Sequence, residues 1–150
     1  MRRIICLILS VFVLSACNTY TLQDAKNNGD IILGHLGPMN SEKIDSFVAD
    51  FEKQKASKLR ITSYTDEGDP ILSDLYYEGK QINYTFDNSR DKHGGNQKGK
   101  DKTSCNKIEK RSVTREDSTK GIEYILTDCK EIIGFHSGDK NEIFLMFKDQ

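Results

Sequence analysis

The sequence has little of what usually indicates a biochemical activity. It contains no tryptophan and two prolines in 150 residues, and its 22 basic residues nearly balance its 23 acidic ones. Nucleic-acid-binding domains usually carry a basic surplus or a basic stripe, so this balance argues against such a partner. The nucleophile-elbow, phosphate-loop and dinucleotide-binding patterns are also absent from the sequence. We therefore predict no nucleic-acid partner, no cofactor and no catalytic residue.

Long hydrophobic runs are equally scarce. The longest apolar stretch, at residues 4–14, is interrupted only by Ser10 and follows Arg2 and Arg3. A membrane-spanning helix needs roughly 20 apolar residues, so this stretch is too short for one. A basic start, a short apolar core and a small-residue exit are the parts of a secretory signal. The sequence therefore predicts a signal peptide at residues 1–16.

The cysteine that follows this segment changes which signal it is. The residues Leu14, Ser15, Ala16 and Cys17 resemble the lipobox of bacterial lipoproteins. The resemblance implies cleavage between Ala16 and Cys17 and a diacylglyceryl group on the Cys17 thiol. Two acyl chains anchor a protein lastingly, whereas one anchors it reversibly. We expect a lipid-anchored chain on the outer face of the cytoplasmic membrane; the alternatives are an ordinary secretory signal and an apolar N-terminal helix.

Two cysteines remain once Cys17 is lipidated and Cys6 is removed with the signal. Outside the cytoplasmic membrane a lone pair is more often a disulfide than two thiols, so we predict a bond between Cys105 and Cys129. Two free, buried cysteines are the alternative. A hairpin centred at position 117 would place these cysteines opposite each other and pair Ile108 with Leu126. The disulfide would then lie on the outer side of the hairpin, away from the apolar face.

The mature chain predicts a helix followed by a series of hairpins. Residues 17–29 are polar and should form a lipidated tether, with residues 30–150 forming a single domain. Asn40 is expected to cap a helix, because its side chain can accept from first-turn amides. Apolar residues then recur at helical spacing, at Ile44, Phe47, Val48 and Phe51. Strands are predicted at residues 31–33, 59–65, 71–77, 81–87, 103–113, 121–128, 131–135 and 142–147. We therefore expect an α+β fold, with one main amphipathic helix packed on an antiparallel β-sheet that is a meander of hairpins.

Metal-binding patterns are weak. His35, His93 and His136 each lie beside a glycine or serine in a predicted loop, with no second ligand at metal spacing. Residues 87–91 carry oxygen side chains at alternate positions, as a calcium loop does. Lys98, however, stands where the bidentate glutamate of such a loop is expected. We predict a solvated loop and no metal site, although a joint site of the three histidines stays open.

Several stretches resemble a family of short Gram-positive lipoproteins that carry a domain of unknown function. They are DAKNNGD at residues 24–30, TDEGDPI at residues 65–71, YTFDNS at residues 84–89, GIEY at residues 121–124, and the two cysteines Cys105 and Cys129. The resemblance extends over residues 21–129. It implies export and lipidation in a Gram-positive cell, and it supplies no activity or active-site residue.

Three functional hypotheses follow from the sequence. The first is a non-enzymatic binding or interaction module of the cell envelope, with an envelope or extracellular protein or ligand as its partner. The second is a small envelope enzyme or metal-binding protein that uses the histidines. The third is a protective protein, such as an inhibitor or immunity factor.

Overall fold

A seven-stranded mixed sheet forms most of the protein in the computed structural model, which describes residues 20–34, 37–136 and 141–149. The strands are neighbours in sequence order: β1 Ile31–Leu33, β2 Ser57–Tyr64, β3 Pro70–Tyr77, β4 Ile82–Asp87, β5 Lys100–Thr114, β6 Lys120–Cys129 and β7 Ile143–Asp149. The predicted signal peptide with its last residue Ala16 lies outside the described residues. Cys17, His35 and residues 137–140, which join the last two predicted strands, also lie outside them. No helix in the described ranges is both long and apolar enough to cross a bilayer.

The expected fold class is wrong. Within the described ranges the α-helices are short: α1 Leu22–Asn28 has 7 residues and α2 Glu42–Glu52 has 11, and one 3-10 turn covers Gly95–Gln97. β1 pairs with β2 in parallel, whereas the later neighbours pair antiparallel, so the sheet is mixed. α2 supplies Ile44, Phe47 and Val48 to a buried core whose other members lie on strands. The sheet rather than a main helix therefore provides most of the core.

The segment predicted as a tether belongs to the folded domain from Tyr20 onward. Thr21 and Asp24 form a capping box: the Thr21 hydroxyl accepts from the Asp24 amide at 3.1 Å, and the Asp24 carboxylate accepts from the Thr21 amide at 2.8 Å. Ala25 is fully buried. The helix ends at Gly29, whose φ of 70° suits a residue without a Cβ. The caps at both ends thus stabilise α1, although its sequence shows little apolar periodicity.

The second helix forms where the apolar stripe predicts it, but its start is different. The residue before α2 is Ser41, whose side chain makes no capping hydrogen bond. Asn40, predicted as the cap, has a left-handed φ of 56°. Its side-chain amide donates to the Asp30 backbone carbonyl at 2.8 Å. The capping prediction is therefore wrong, because Asn40 joins the loop to β1 instead.

The strands predicted at residues 71–77 and 81–87 form and pair as an antiparallel hairpin, as expected for a meander. In this β3–β4 pair Leu75 lies opposite Tyr84, and both residues are buried. The strand predicted at residues 131–135 does not form, and that segment instead ends in a single bridge between His136 and Ile143.

The β5–β6 hairpin carries the disulfide. Ile108 pairs with Leu126 and Cys105 pairs with Cys129, as predicted, and a disulfide joins the two cysteines. The predicted outer placement of this bond is wrong, because Cys105 is fully buried within the core. Asp128 has a left-handed φ of 54°, so regular alternation of sides does not extend across it.

Asp45, in the first turn of α2, joins this helix to three strands. Its carboxylate accepts from Lys110 Nζ at 2.8 Å, from the Tyr124 hydroxyl at 2.7 Å and from Lys148 Nζ at 2.7 Å. Tyr124 is fully buried. Burial tends to raise the pKa of Asp45, but these hydrogen bonds outweigh it and hold the pKa well below its usual range. Burial and the Asp45 carboxylate together raise the pKa of Tyr124.

Candidate functional site

A groove lies where β1 stops covering β2. β1 pairs only with residues 61–63 of β2, so residues 57–60 have no strand partner on that side within the described ranges. The groove has a volume of about 650 Å³ and lies between the end of α1, the outer side of α2 and the start of β2. Among its lining residues are Gly29, Lys43, Ser46, Phe47, Leu59 and Tyr76. We call this feature the β2-edge groove.

A paired arginine and aspartate form one wall of the β2-edge groove. Arg60 on β2 and Asp74 on β3 are directly opposite each other in the register, and both line the groove. Arg60 Nε donates to Asp74 Oδ1 at 2.5 Å and Nη2 donates to Oδ2 at 2.9 Å. The hydrogen bonds with Asp74 raise the pKa of the Arg60 guanidinium. A bidentate pair is geometrically fixed, so this wall presents oriented charges rather than mobile side chains.

Tyr20 lies beneath this wall and connects it to a buried carboxylate. The Arg60 guanidinium lies 5.5 Å from the centroid of the Tyr20 ring, within cation–π range. The Tyr20 hydroxyl donates to Asp30 at 2.6 Å, and the Thr62 hydroxyl donates to the same oxygen at 2.7 Å. Asp30 and Thr62 are both buried. These bonds fix α1 and the start of β1 against β2, so the end of the groove at Asp30 is preorganised.

The opposite side of the groove is formed by α2. Lys43 Nζ donates to the Gly29 carbonyl and so ties α2 to the end of α1. A Cβ on Gly29 would approach this amine closely, and the φ of Gly29 is also positive. Phe47 and Leu59 supply an apolar floor, while the exposed Tyr76 lies at the rim. A concave surface with an apolar floor and a few fixed polar groups is suited to ligand binding.

The residues predicted from sequence do not meet at this groove. Cys105 and Cys129 lie on the β5–β6 hairpin and are joined. His93 and His136 are exposed, and no group of three or more potential metal ligands occurs within the described ranges. Asp87 is buried at the end of β4, and its carboxylate accepts from the Ser89 hydroxyl and from Arg90.

Sequence reasoning missed Arg60, Asp74 and Asp30. A partial signal for the first two was present: a hairpin of the strands predicted at residues 59–65 and 71–77 is centred at position 68. That centre places residues 60 and 74 on the same face of the sheet, although it puts residue 60 opposite residue 76 rather than residue 74. No comparable signal exists for Asp30, because its contact with Thr62 joins residues 32 positions apart through a parallel strand pair.

Comparison with known proteins identifies a family and no relative of established activity. No curated protein and no solved structure matches the chain significantly. The family described as a domain of unknown function, DUF4362, matches residues 28–124, a range that runs from the end of α1 into β6. This range includes Asp30, Arg60 and Asp74. The chain therefore belongs to the family described as domain of unknown function DUF4362.

Proposed function

We propose that this protein is a lipid-anchored extracytoplasmic binding module that holds an extended peptide segment in the β2-edge groove. The observation that carries the proposal is the unpaired stretch of β2 at residues 57–60, which lies beside a groove with fixed polar walls. An exposed strand edge can accept an added strand through main-chain hydrogen bonds, while neighbouring pockets receive alternate side chains. Phe47 and Leu59 offer such an apolar pocket. The function is recognition and not catalysis.

The length of the unpaired edge of β2 limits the number of ligand residues that can pair with it. Four unpaired residues of β2 span about 13 Å at a strand rise of ~3.3 Å per residue. A segment of four or five extended residues therefore fills the edge. Arg60 and Asp74 present one charge of each sign along the same wall, so the ligand needs a polar side chain that can meet this pair.

A displayed library of short random peptides tests the proposed binding. We expect selection on the domain to enrich peptides whose binding is lost in Ser46→Trp, because Ser46 is exposed and lines the groove. Ser112→Trp is the matched control, since Ser112 is also exposed but lies on β5. Bound peptide should also slow amide hydrogen exchange at residues 57–60. Peptides that bind both variants equally, or no enrichment at all, would contradict the groove as the binding site.

The lipid anchor is supported by the Leu14-Ser15-Ala16-Cys17 sequence and is tested separately. We expect labelled palmitate to enter the wild-type protein and Cys6→Ala, but not Cys17→Ala, when each is expressed in a Gram-positive host. Cys6 is the matched control because it lies in the same N-terminal segment. Equal labelling of all three proteins would contradict lipidation of Cys17.

A further inference from the structure

We infer that the end of the sheet where the chain emerges from the proposed anchor lies against the lipid bilayer, with Leu22 and the lysines of the β4–β5 loop as its contacts. This inference rests on the proposed lipidation of Cys17. The surface consists of residues 20–22, the β2–β3 turn at residues 65–69 and the loop at residues 88–99. We call it the N-terminal face.

The length of chain before the folded domain is the first argument. Only Asn18 and Thr19 separate Cys17 from Tyr20, whose hydroxyl is bonded to the buried Asp30. Three residue steps span at most about 11 Å, because each extended residue covers at most ~3.6 Å. The folded domain therefore begins within about 11 Å of the lipidated residue. A longer tether would leave the orientation of the domain open, whereas this one brings the N-terminal face to the bilayer.

The N-terminal face brings together three parts of the chain. Leu22, Tyr64, Pro70 and Lys92 border one shallow, largely apolar depression of about 460 Å³. Lys92 is tied to the turn, because its Nζ lies 3.0 Å from an Asp69 oxygen and its backbone amide donates to Asp69 at 2.8 Å. The start of α1, the β2–β3 turn and the β4–β5 loop therefore form one continuous surface.

The chemistry of this surface suits the interface region of a bilayer. Leu22 is 45 % exposed, although it is a large apolar residue at the first position of α1. The Lys92 side chain is 73 % exposed, and Lys98 next to it donates to the Lys92 carbonyl at 3.4 Å. Lysine ammonium groups beside an anionic lipid surface stabilise binding individually. The same face also carries the carboxylates of Asp66, Glu67, Asp69 and Asp91, and Asp69 is paired with Lys92, so the face is not a basic patch. Leu22 is therefore its main contact, and the lysines act as single contacts to phosphate groups.

Fluorescence quenching tests the inference. Because the chain contains no tryptophan, all tryptophan fluorescence comes from the residue that is introduced. Two lipidated variants, Leu22→Trp and Tyr76→Trp, each carry a single tryptophan. Each is inserted into vesicles of phosphatidylglycerol and phosphatidylcholine that contain a lipid with a nitroxide quencher on its headgroup. Tyr76 is the matched control, because it is 46 % exposed but lies near the opposite end of β3. We expect strong quenching of Leu22→Trp and little quenching of Tyr76→Trp. Equal quenching, or stronger quenching at Tyr76, would overturn the assigned face.

Two further measurements separate the inference from the proposal beneath it. Flotation of the wild type with vesicles, and its loss in Cys17→Ala, reports the anchor alone. If the anchor holds but the two tryptophans are quenched equally, the face is refuted while lipidation stands. If the wild type does not float, lipidation of Cys17 fails and the inference fails with it.

A charge-reversal pair tests the lysines themselves. In the Leu22→Trp protein, Lys92→Glu with Lys98→Glu should lower quenching to the level of Tyr76→Trp. Lys107→Glu with Lys120→Glu makes the same change in net charge at exposed positions of the β5–β6 hairpin, and it should leave quenching unchanged. An equal decrease in both double variants would show that only net charge matters, which would refute lysine contacts from the β4–β5 loop.

Discussion

Replacing Asp45 with alanine should destabilise the domain by about 2–3 kcal/mol at neutral pH. The carboxylate is the acceptor for the Tyr124 hydroxyl, which is fully buried. Leaving such a donor without its partner costs about 1–3 kcal/mol. The ion pairs with Lys110 and Lys148 are partly exposed, so solvent screening limits each to about 0.2–1 kcal/mol.

The pH dependence of this effect has a definite sign. The pKa of Asp45 is lowered in the folded protein, and its value in the unfolded chain is about 3.9. A group with a lowered folded pKa stabilises the protein above its unfolded pKa and loses that contribution as pH falls through the folded pKa. The difference between the wild type and Asp45→Ala should therefore be constant from pH 7 to about pH 5 and should shrink progressively below about pH 4.

Urea unfolding of the unanchored Cys17→Ser domain, followed by circular dichroism with the disulfide intact, measures both effects. Tyr124→Phe completes a double-mutant cycle, and we expect a coupling energy of about 1 kcal/mol between the two positions. Asp50→Ala is the control on the same helix, because Asp50 pairs with the highly exposed Lys55 and accepts from the partly buried Ser57 hydroxyl at 2.9 Å. Loss of these two contacts should cost about 1 kcal/mol, less than the change at Asp45. A cost for Asp45→Ala that does not change between pH 7 and pH 2 would refute the role of its charge.

Three other changes probe the sheet, each measured by urea unfolding. Replacing Cys105 and Cys129 with alanine should cost about 3.5 kcal/mol, because the bond closes a loop with a sequence separation of 24; an effect below about 1 kcal/mol would contradict this. Arg60→Lys should cost about 0.5–1 kcal/mol, since lysine keeps the charge but loses the bidentate geometry; no change would mean that the pair is not fixed in solution. Gly121→Ala should cost about 1–3 kcal/mol because a Cβ there would collide with a β7 carbonyl, whereas Gly99→Ala meets nothing and should be neutral; equal effects would refute the close approach.

The elements that sequence predicts well are those whose signals are local. The α2 stripe repeats every three or four residues, and Ile44, Phe47 and Val48 are buried as that spacing requires. The β3–β4 and β5–β6 hairpins follow from alternation on both sides of a turn, which fixes the register once the turn is located. The prediction of the fold class was wrong because the class depends on how much of the core each element supplies and on which strands pair. Local sequence patterns specify neither.

The missed features depend on contacts between distant residues or on capping without apolar periodicity. β1 was expected in an antiparallel sheet, yet it pairs with β2 in parallel, and a three-residue apolar run gives no indication of its partner. α1 was missed because only Leu22 and Ala25 are apolar in it, although Thr21 and Asp24 were a visible capping signal. The β2-edge groove was missed with them, since it exists only because β1 is short and α1 ends beside it.

The change from tether to helix also alters which ligands could reach the groove under the proposed anchoring. A flexible tether of a dozen residues would have a root-mean-square length of about 20 Å and would let the groove turn freely above the bilayer. With three residue steps and a capped α1 instead, the helix leads from the N-terminal face to Gly29, about 10 Å at ~1.5 Å per residue. The end of the groove at Gly29 then lies at most about 21 Å from the lipidated residue, because the reach of three residue steps and the length of α1 add. A peptide segment that emerges from the same membrane would meet it at high effective concentration, whereas a ligand far from the surface would gain nothing from the anchor.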